Sequence, residues 1–347
     1  MAKRKNTKTL LVDGNSLIKR SHFGANNLYT TGKKTPEKIG ALFQFYTTLR
    51  KLIVELSVDK VVIMWDGERG SYMRLKNYPS YKKNDTKPKY FDIDLERQKI
   101  RVMMYAEELS IRQCVDDECE ADDLIAYYTL NKNKNEDVII YTSDHDLFQL
   151  INKDVSLYLP SKKSLVGIGN YSWFFEHHYK NAYTVKVFDG CSSDNIKGID
   201  LVSEKTLIKT FPEIKNRYVS VGEIVERSKS ILEESDKKPK YLKNIVEGTT
   251  KGKYKGDFYE EIEKLVSLKK PQINQNGKDI VEEVLNLPIN PSGRSYKNVL
   301  DMMIKDGFID CIYGGSDGYV NYLEPFVKII KKETLKFKKY KTKFNKK

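Results

Sequence analysis

Over the first 160 residues, apolar positions gather into short unbroken runs separated by stretches with helical spacing. Thr9–Val12, Lys60–Met64 and Asp137–Tyr141 read as strands, the second of them buried. Pro36–Ser57 reads as a helix, and Glu120–Leu130 carries Ala121, Leu124, Ile125 and Tyr128 on one helical face. A further helix is expected from about Asp146. Strands alternating with helices imply an α/β fold whose central, mostly parallel sheet is flanked by helices on both faces.

The polar positions that end these runs are acidic. Asp13 follows the first strand, Asp66 the second, and the Asp144/Asp146 pair the third. Glu120, Asp122 and Asp123 stand at a helix start, where the macrodipole favours anions by roughly 0.3–1 kcal/mol. In open α/β sheets the ligand crevice lies at the carboxyl ends of the strands. Each acid alone reads as an ordinary turn or helix cap. That reading does not explain why every strand end should carry one. Two like charges about 4 Å apart repel by roughly 4 kcal/mol at an effective dielectric near 20, so a cation is needed among them.

Charge sharpens the picture. The chain carries 61 Lys and Arg against 48 Asp and Glu, a formal net charge of +13, which points to a polyanionic partner, most often nucleic acid. Between Gly67 and Arg101, cations interleave with aromatics: Arg69, Tyr72, Arg74, Lys76, Tyr78, Tyr81, Lys82, Lys83, Lys87, Lys89 and Tyr90. Such mixtures bind single strands, rings stacking on bases while cations track phosphates; a solvated loop is the plainer alternative. After about Tyr183 the chain reads as helical and loop-rich, with Ser235–Phe258 an exposed basic connection. The Lys-dominated block Lys336–Lys347 is expected as a disordered tail adding a salt-sensitive grip on a polyanion.

Several chemistries are poorly supplied. Cys114, Cys119, Cys191 and Cys311 lack paired zinc spacing and read as reduced thiols of a cytoplasmic protein. Only four histidines are present. The basic start Met1–Lys5 leads into Leu10-Leu11-Val12, too short a run for a signal segment or a spanning helix. Oxygen ligands with scarce His and Cys select hard cations, Mg²⁺ or Mn²⁺. The six to eight carboxylates exceed the need of one magnesium, so two ions are expected. A two-metal clamp roughly 3.5–4 Å across stabilises both the attacking and the leaving oxygen in phosphoryl transfer. An acidic metal centre inside a basic protein suits phosphodiester cleavage.

The motifs Leu11-Val12-Asp13-Gly14-Asn15, Trp65-Asp66-Gly67, Glu120-Ala121-Asp122-Asp123, Ser143-Asp144-His145-Asp146-Leu147 and Ser193-Asp194-Asn195 occur in a telling order and spacing. Over roughly Leu10 to Thr206 the chain resembles the flap endonuclease/5′→3′ exonuclease family, most of all the ribonuclease H group of T-even bacteriophages, with Gly70–Asn84 contributing. The resemblance implies a PIN-like α/β nuclease core over 1–182, a helical arch over about 67–105, a helical DNA-binding region over 183–335 with a helix–hairpin–helix-like motif, and the tail. It implies that Asp13, Asp66, Glu120, Asp122 and Asp144 serve a first metal site, and Asp123, Asp146 and Asp194 a second. Arg20 and Lys82 would contact the scissile phosphate, and Tyr81 would stack on a base. Arg69, Arg74, Lys83, Lys205 and Thr206 complete the expected nucleic-acid contacts.

By the same resemblance the activity would be Mg²⁺-dependent removal of RNA primers and 5′ flaps during replication, by a monomer in the host cytoplasm acting on DNA and RNA–DNA hybrids. A single-strand-binding protein and a polymerase clamp are the partners it suggests. Two positions depart from the family pattern. Cys191 stands where Gly-Asp-x-x-Asp-Asn would place its first Asp, so either Asp189 reaches in or the second metal is held more weakly. Leu201 and Ser203 replace the usual hairpin glycines, whose lack of a side chain would let the backbone approach a bound potassium closely. A non-catalytic, structure-specific DNA-binding protein on the same scaffold is the alternative that Cys191 favours. A magnesium-dependent phosphatase or ribonuclease of a related fold is a third, which the arch segment disfavours.

Overall fold

The computed structural model describes residues 6–25, 27–30, 35–83, 92–308, 312 and 315–344. Lys87, Lys89 and Tyr90 of the basic–aromatic segment, Cys311, and Asn345, Lys346 and Lys347 of the tail lie outside them.

The expected strands form and further strands join them. The sheet strands are β1 (Thr7–Asp13), β2 (Lys60–Trp65), β3 (Arg112–Val115), β4 (Glu136–Tyr141), β5 (Val155–Leu159) and β6 (Ser164–Val166), in the order β3-β2-β1-β4-β5-β6. Every neighbouring pair is parallel except β5–β6. The register sets Asp13 beside Met64 and Val12 beside Tyr141, so the strand-end acids arrive at one edge. Apolar runs without alternation are what a sheet covered on both faces requires.

One face packs on α1 (Gly14–Gly24), α2 (Gly40–Glu55) and α4 (Ile93–Glu108), the other on α5 (Ala121–Asn131); α3 (Tyr72–Asn77) lies between β2 and α4 in the chain. A smaller hydrophobic cluster gathers residues between Val185 and Val266 around Tyr78 and Tyr81, so the segment from Tyr78 to Tyr81 packs on the helices that follow Asn181. The chain then returns to the sheet. Leu268, Ile273, Val281 and Val284 join the α5 face, and Val299, Met303 and the helix Gly315–Phe344 cover the α2 face. That return was not legible in the sequence. The Lys336–Lys347 block is therefore no disordered tail: it is helical as far as Phe344, because Tyr322, Leu323, Phe326 and Ile329 anchor the same helix in the core. The helix expected at Asp146 is a short 3₁₀ turn, Asp146–Leu150, cut off by the approach to β5. Among the described residues no helix is long and apolar enough to cross a membrane.

Candidate metal centre

Asp13 ends β1 and caps α1, accepting the Ser16 N–H at 2.9 Å. Gly14 follows because a Cβ there would meet the Trp65 ring at 2.5 Å. Asp66 follows β2 and accepts the Ala121 N–H at 2.8 Å, which fixes the start of α5 and the direction in which Asp122 leaves it. Asp144 follows β4, its backbone N–H held by the Thr142 hydroxyl at 2.9 Å; that hydroxyl in turn donates to Asp13 at 3.1 Å. Asp13, Asp66, Asp122 and Asp144 thus line one cavity of about 280 Å³, with Glu120, Asn15, Lys19 and Lys82 on its walls.

Electrostatics divide these acids into two kinds. Burial, followed by the charges of Asp66 and Asp144, pushes Asp13 up to about 6. Burial and then Asp144, Asp13 and Asp66 lift Asp122 well above the ordinary carboxylate range. These are carboxylates short of positive charge, and no arginine lines their cavity. Glu120 is the opposite. Burial disfavours its charge, but Arg74 at 2.8 Å and Lys82 at 2.6 Å hold it down to about 2. Ser71 and the Tyr81 hydroxyl complete its partners. An all-oxygen donor set, under-compensated in charge even with Lys19 and Lys82 on its walls, fits a hard divalent cation.

Asp123 is not brought to the cavity. It is fully buried, its carboxylate paired with Arg74 and accepting the Gln272 N–H at 2.8 Å, so it is a structural anion and not a ligand. Arg74 is consequently unavailable to nucleic acid: it is 5% exposed and neutralises Asp123 and Glu120 from inside. Tyr81 also departs from expectation. It is 5% exposed, its hydroxyl on Glu120 and its ring beneath Lys82 and Arg74, which leaves no face for a base.

Lys82 does reach the cavity. Its backbone takes the left-handed conformation (φ 53°), and its N–H donates to the Asp194 carbonyl at 2.9 Å. The Asn195 amide donates to the Ser80 carbonyl at 2.9 Å, so residues 80–82 are tied to the 194–195 loop. A strained non-glycine backbone at such a place is characteristic of functional sites. Lys83 is exposed beside it, and Arg69 is exposed but paired with Asp117 at 2.6 Å. Arg20 does not enter the acidic cavity; it lines an adjoining cleft with Lys19, Lys51 and Lys163, where Ser16 and Ser143 border both spaces. Lys205 and Thr206 lie in the first turn of the helix Glu204–Thr210, Lys205 exposed and the Thr206 N–H taken by the capping Ser203 at 3.3 Å. Leu201 there has φ 66° with its side chain 63% exposed: the turn keeps the left-handed shape that glycine adopts freely.

A second group forms nearby. Ligand atoms of Asp146, Cys191 and Asp194 lie within 4.8 Å of one another, with the Cys191 thiol 3.1 Å from Asp194. Cys191, not Asp189, fills the family's acid position, since Asp189 is exposed outside the group. Lys186 had no signal in the sequence beyond lying on a helix, yet its ammonium pairs with Asp146. Burial still leaves Asp146 raised to about 6 despite that cation, and burial raises the Cys191 thiol, which keeps it neutral. The group is poorer in negative charge than the first. Asn15, which donates to Asp66, and Thr142 were also missed as supports.

A family model described as the N-terminal, resolvase-like domain of 5′-3′ exonucleases matches residues 8–180, which include every member of the first carboxylate set. A 5′-3′ exonuclease of Mycoplasmopsis pulmonis is 27% identical over 251 residues, covering 70% of this chain and 80% of that protein. The T5 D15 protein co-crystallised with metal ions superposes with a TM-score of 0.60 at 18% identity, covering 80% of this chain and 98% of that one. A bacteriophage T5 flap endonuclease in a pseudo-enzyme–product complex with DNA and metal ions gives 0.53 at 17% identity, over 93% and 99% of the two chains. At these identities the structural likeness establishes the fold, and the matched family model spans the segment that carries Asp13, Asp66, Asp122 and Asp144. Through residues 8–180 the chain belongs to the 5′-3′ exonuclease family, and it is an enzyme of the phosphodiester hydrolase class.

Proposed function

We propose that the chain is a divalent-metal-dependent 5′ nuclease that binds DNA and RNA–DNA hybrids and removes RNA primers and 5′ flaps during replication, with Mg²⁺ as its natural ion and Mn²⁺ as a substitute. The observation that carries this reading is the convergence of Asp13, Asp66, Asp122 and Asp144, from four separate segments, on one cavity with too little positive charge of its own. These four would hold the first ion. Asp146 and Asp194, beside the neutral Cys191 thiol, would hold a second more weakly. Divalent ions bound there would supply the positive charge and Lewis acidity that phosphodiester hydrolysis needs.

The chain's own cations position the strand. Lys82, now on Glu120, stands where its ammonium can transfer to an entering phosphate; Glu120 keeps Arg74 and stays neutralised. Lys19 lines both the acidic cavity and the adjoining cleft, and with Arg20 would lead a phosphate backbone from one to the other. The test is a product-length assay on 5′-labelled and 3′-labelled hybrids and flaps. Mg²⁺ should yield short 5′ products, EDTA should stop them, and Asp122→Ala should abolish cleavage while DNA binding persists. Strand shortening that continues in EDTA ends the proposal.

A further inference from the structure

The opposite edge of the sheet holds a second recess. Thr7, Lys60 and Glu136 open β1, β2 and β4, and all three line a cavity of about 470 Å³. At about 3.3 Å per residue, the strands set it roughly 20 Å from the carboxylates at their other ends. One wall is apolar, formed by Val284, Leu285, Leu287 and Pro288; the facing wall is the C-terminal helix, which contributes Glu333, Lys336, Lys339 and Lys343. The helix is pinned here by an ion pair from Lys332 to Asp59, and within it Lys336 pairs with Glu333 at 2.6 Å.

The charges do not cancel. Lys60 is 8% exposed, and its ammonium donates at 3.0 Å to the Tyr128 hydroxyl and the Val284 carbonyl, using two of its three donors. Glu136 accepts from Tyr128 and Thr9, so one buried cation faces one buried anion through a hydroxyl. Glu333 is matched by Lys336. Lys339 and Lys343 make no ion pair among the described residues, which leaves the recess with an excess of two positive charges. Like charges at i and i+4 on a helix repel, so this stripe is held at a cost unless an anion sits between them.

We propose that this recess is a second binding site, for a nucleoside 5′-monophosphate, with the phosphate on Lys339 and Lys343 and the base against the Leu285–Pro288 wall. A phosphate monoester carries about −1.5 to −2 at neutral pH, which matches the excess. Volumes of roughly 300–1,000 Å³ are those of small-ligand pockets, and inorganic phosphate would leave most of this one unfilled. A phosphate within a nucleic-acid strand carries a single charge, half of this excess.

The full chain, free of divalent metal in EDTA, is titrated with dAMP by calorimetry. One-to-one binding is expected, with Asp122→Asn unchanged and the double variant Lys339→Ala/Lys343→Ala weaker by at least about tenfold, or about 1.4 kcal/mol. Both lysines are solvent-facing helix positions, so the variant should fold, as an unchanged melting curve would verify. Its Mg²⁺-dependent flap cleavage should equal that of the wild type, which separates this inference from the proposed activity. Binding lost in Asp122→Asn but kept in the double variant would put the nucleotide in the carboxylate cavity and overturn the site. Equal affinity for inorganic phosphate would overturn the ligand, and a loss of duplex affinity in the double variant would make the recess part of the polymer path instead.

Discussion

The carboxylate cavity implies that the metal-free protein is destabilised at neutral pH by its own Asp13, and that Asp13→Asn relieves this. Asp13 is raised from an ordinary 3.8 to about 6, chiefly by burial and then by Asp66 and Asp144. That gap corresponds to about 3 kcal/mol. The sign follows from which state releases its proton first. Below about pH 4 both folded and unfolded chains carry the proton and the term vanishes. Between about 4 and 6 the unfolded chain ionises while the folded one does not, so stability falls as pH rises; above about 6 the full cost is present. Asn retains the helix-capping role, accepting the Ser16 N–H as Asp does. The weakened contact with the Thr142 hydroxyl costs about 1 kcal/mol. In EDTA at pH 8, Asp13→Asn should therefore be more stable than wild type by about 2 kcal/mol, and slightly less stable below pH 4. Urea unfolding followed by circular dichroism measures both. Saturating Mg²⁺ should reverse the order at pH 8, because the wild type gains the ion's binding energy and the variant largely does not. If Asp13→Asn is the less stable protein at pH 8 without metal, or the gap is the same at every pH, the charge-deficit argument fails.

Other consequences follow from residues whose roles changed. Arg74→Met leaves Asp123 buried without its cation and Glu120 with Lys82 alone, and should cost about 3–5 kcal/mol in chemical unfolding; weakened DNA affinity at unchanged stability would restore Arg74 to the substrate surface. Cys191→Asp should tighten binding of the weaker of two Mn²⁺ ions by at least about tenfold, read by electron paramagnetic resonance titration, because it adds a charged oxygen beside Asp146 and Asp194; no change would exclude this group as a metal site. Leu201→Gly should stabilise the chain by about 1 kcal/mol by removing a left-handed leucine whose side chain is largely in solvent, and a lowered melting temperature would refute the strain.

Much of the centre was legible because its signal is local. Unbroken apolar runs specify strands, parallel strands point their carboxyl ends one way, and an acid just past each end needs no further information to be placed at that edge. Asp13, Asp66 and Asp144 belong to this class, and Asp122 joins them from the first turn of α5. What the pattern could not supply was which acid meets which cation, because that depends on contacts across dozens of residues. Asp122 and Asp123 are adjacent in sequence, but about 100° apart on their helix, so one turns to the cavity and its neighbour to Arg74 in the interior. The interleaved cations and rings from Arg69 to Tyr90 similarly looked uniform. In space they separate into the buried Arg74 and Tyr81, which hold Glu120 from inside, Lys82, which holds it from the cavity wall, and Lys83, which is exposed. The C-terminal lysines are the clearest case of the same rule. Their composition argues for disorder only if the helix bearing them has nothing to bury, and Leu323, Phe326 and Ile329 on that same helix bury against the sheet. Composition reports what a segment is able to do in water, whereas the apolar face one or two turns away decides whether it ever stands alone there.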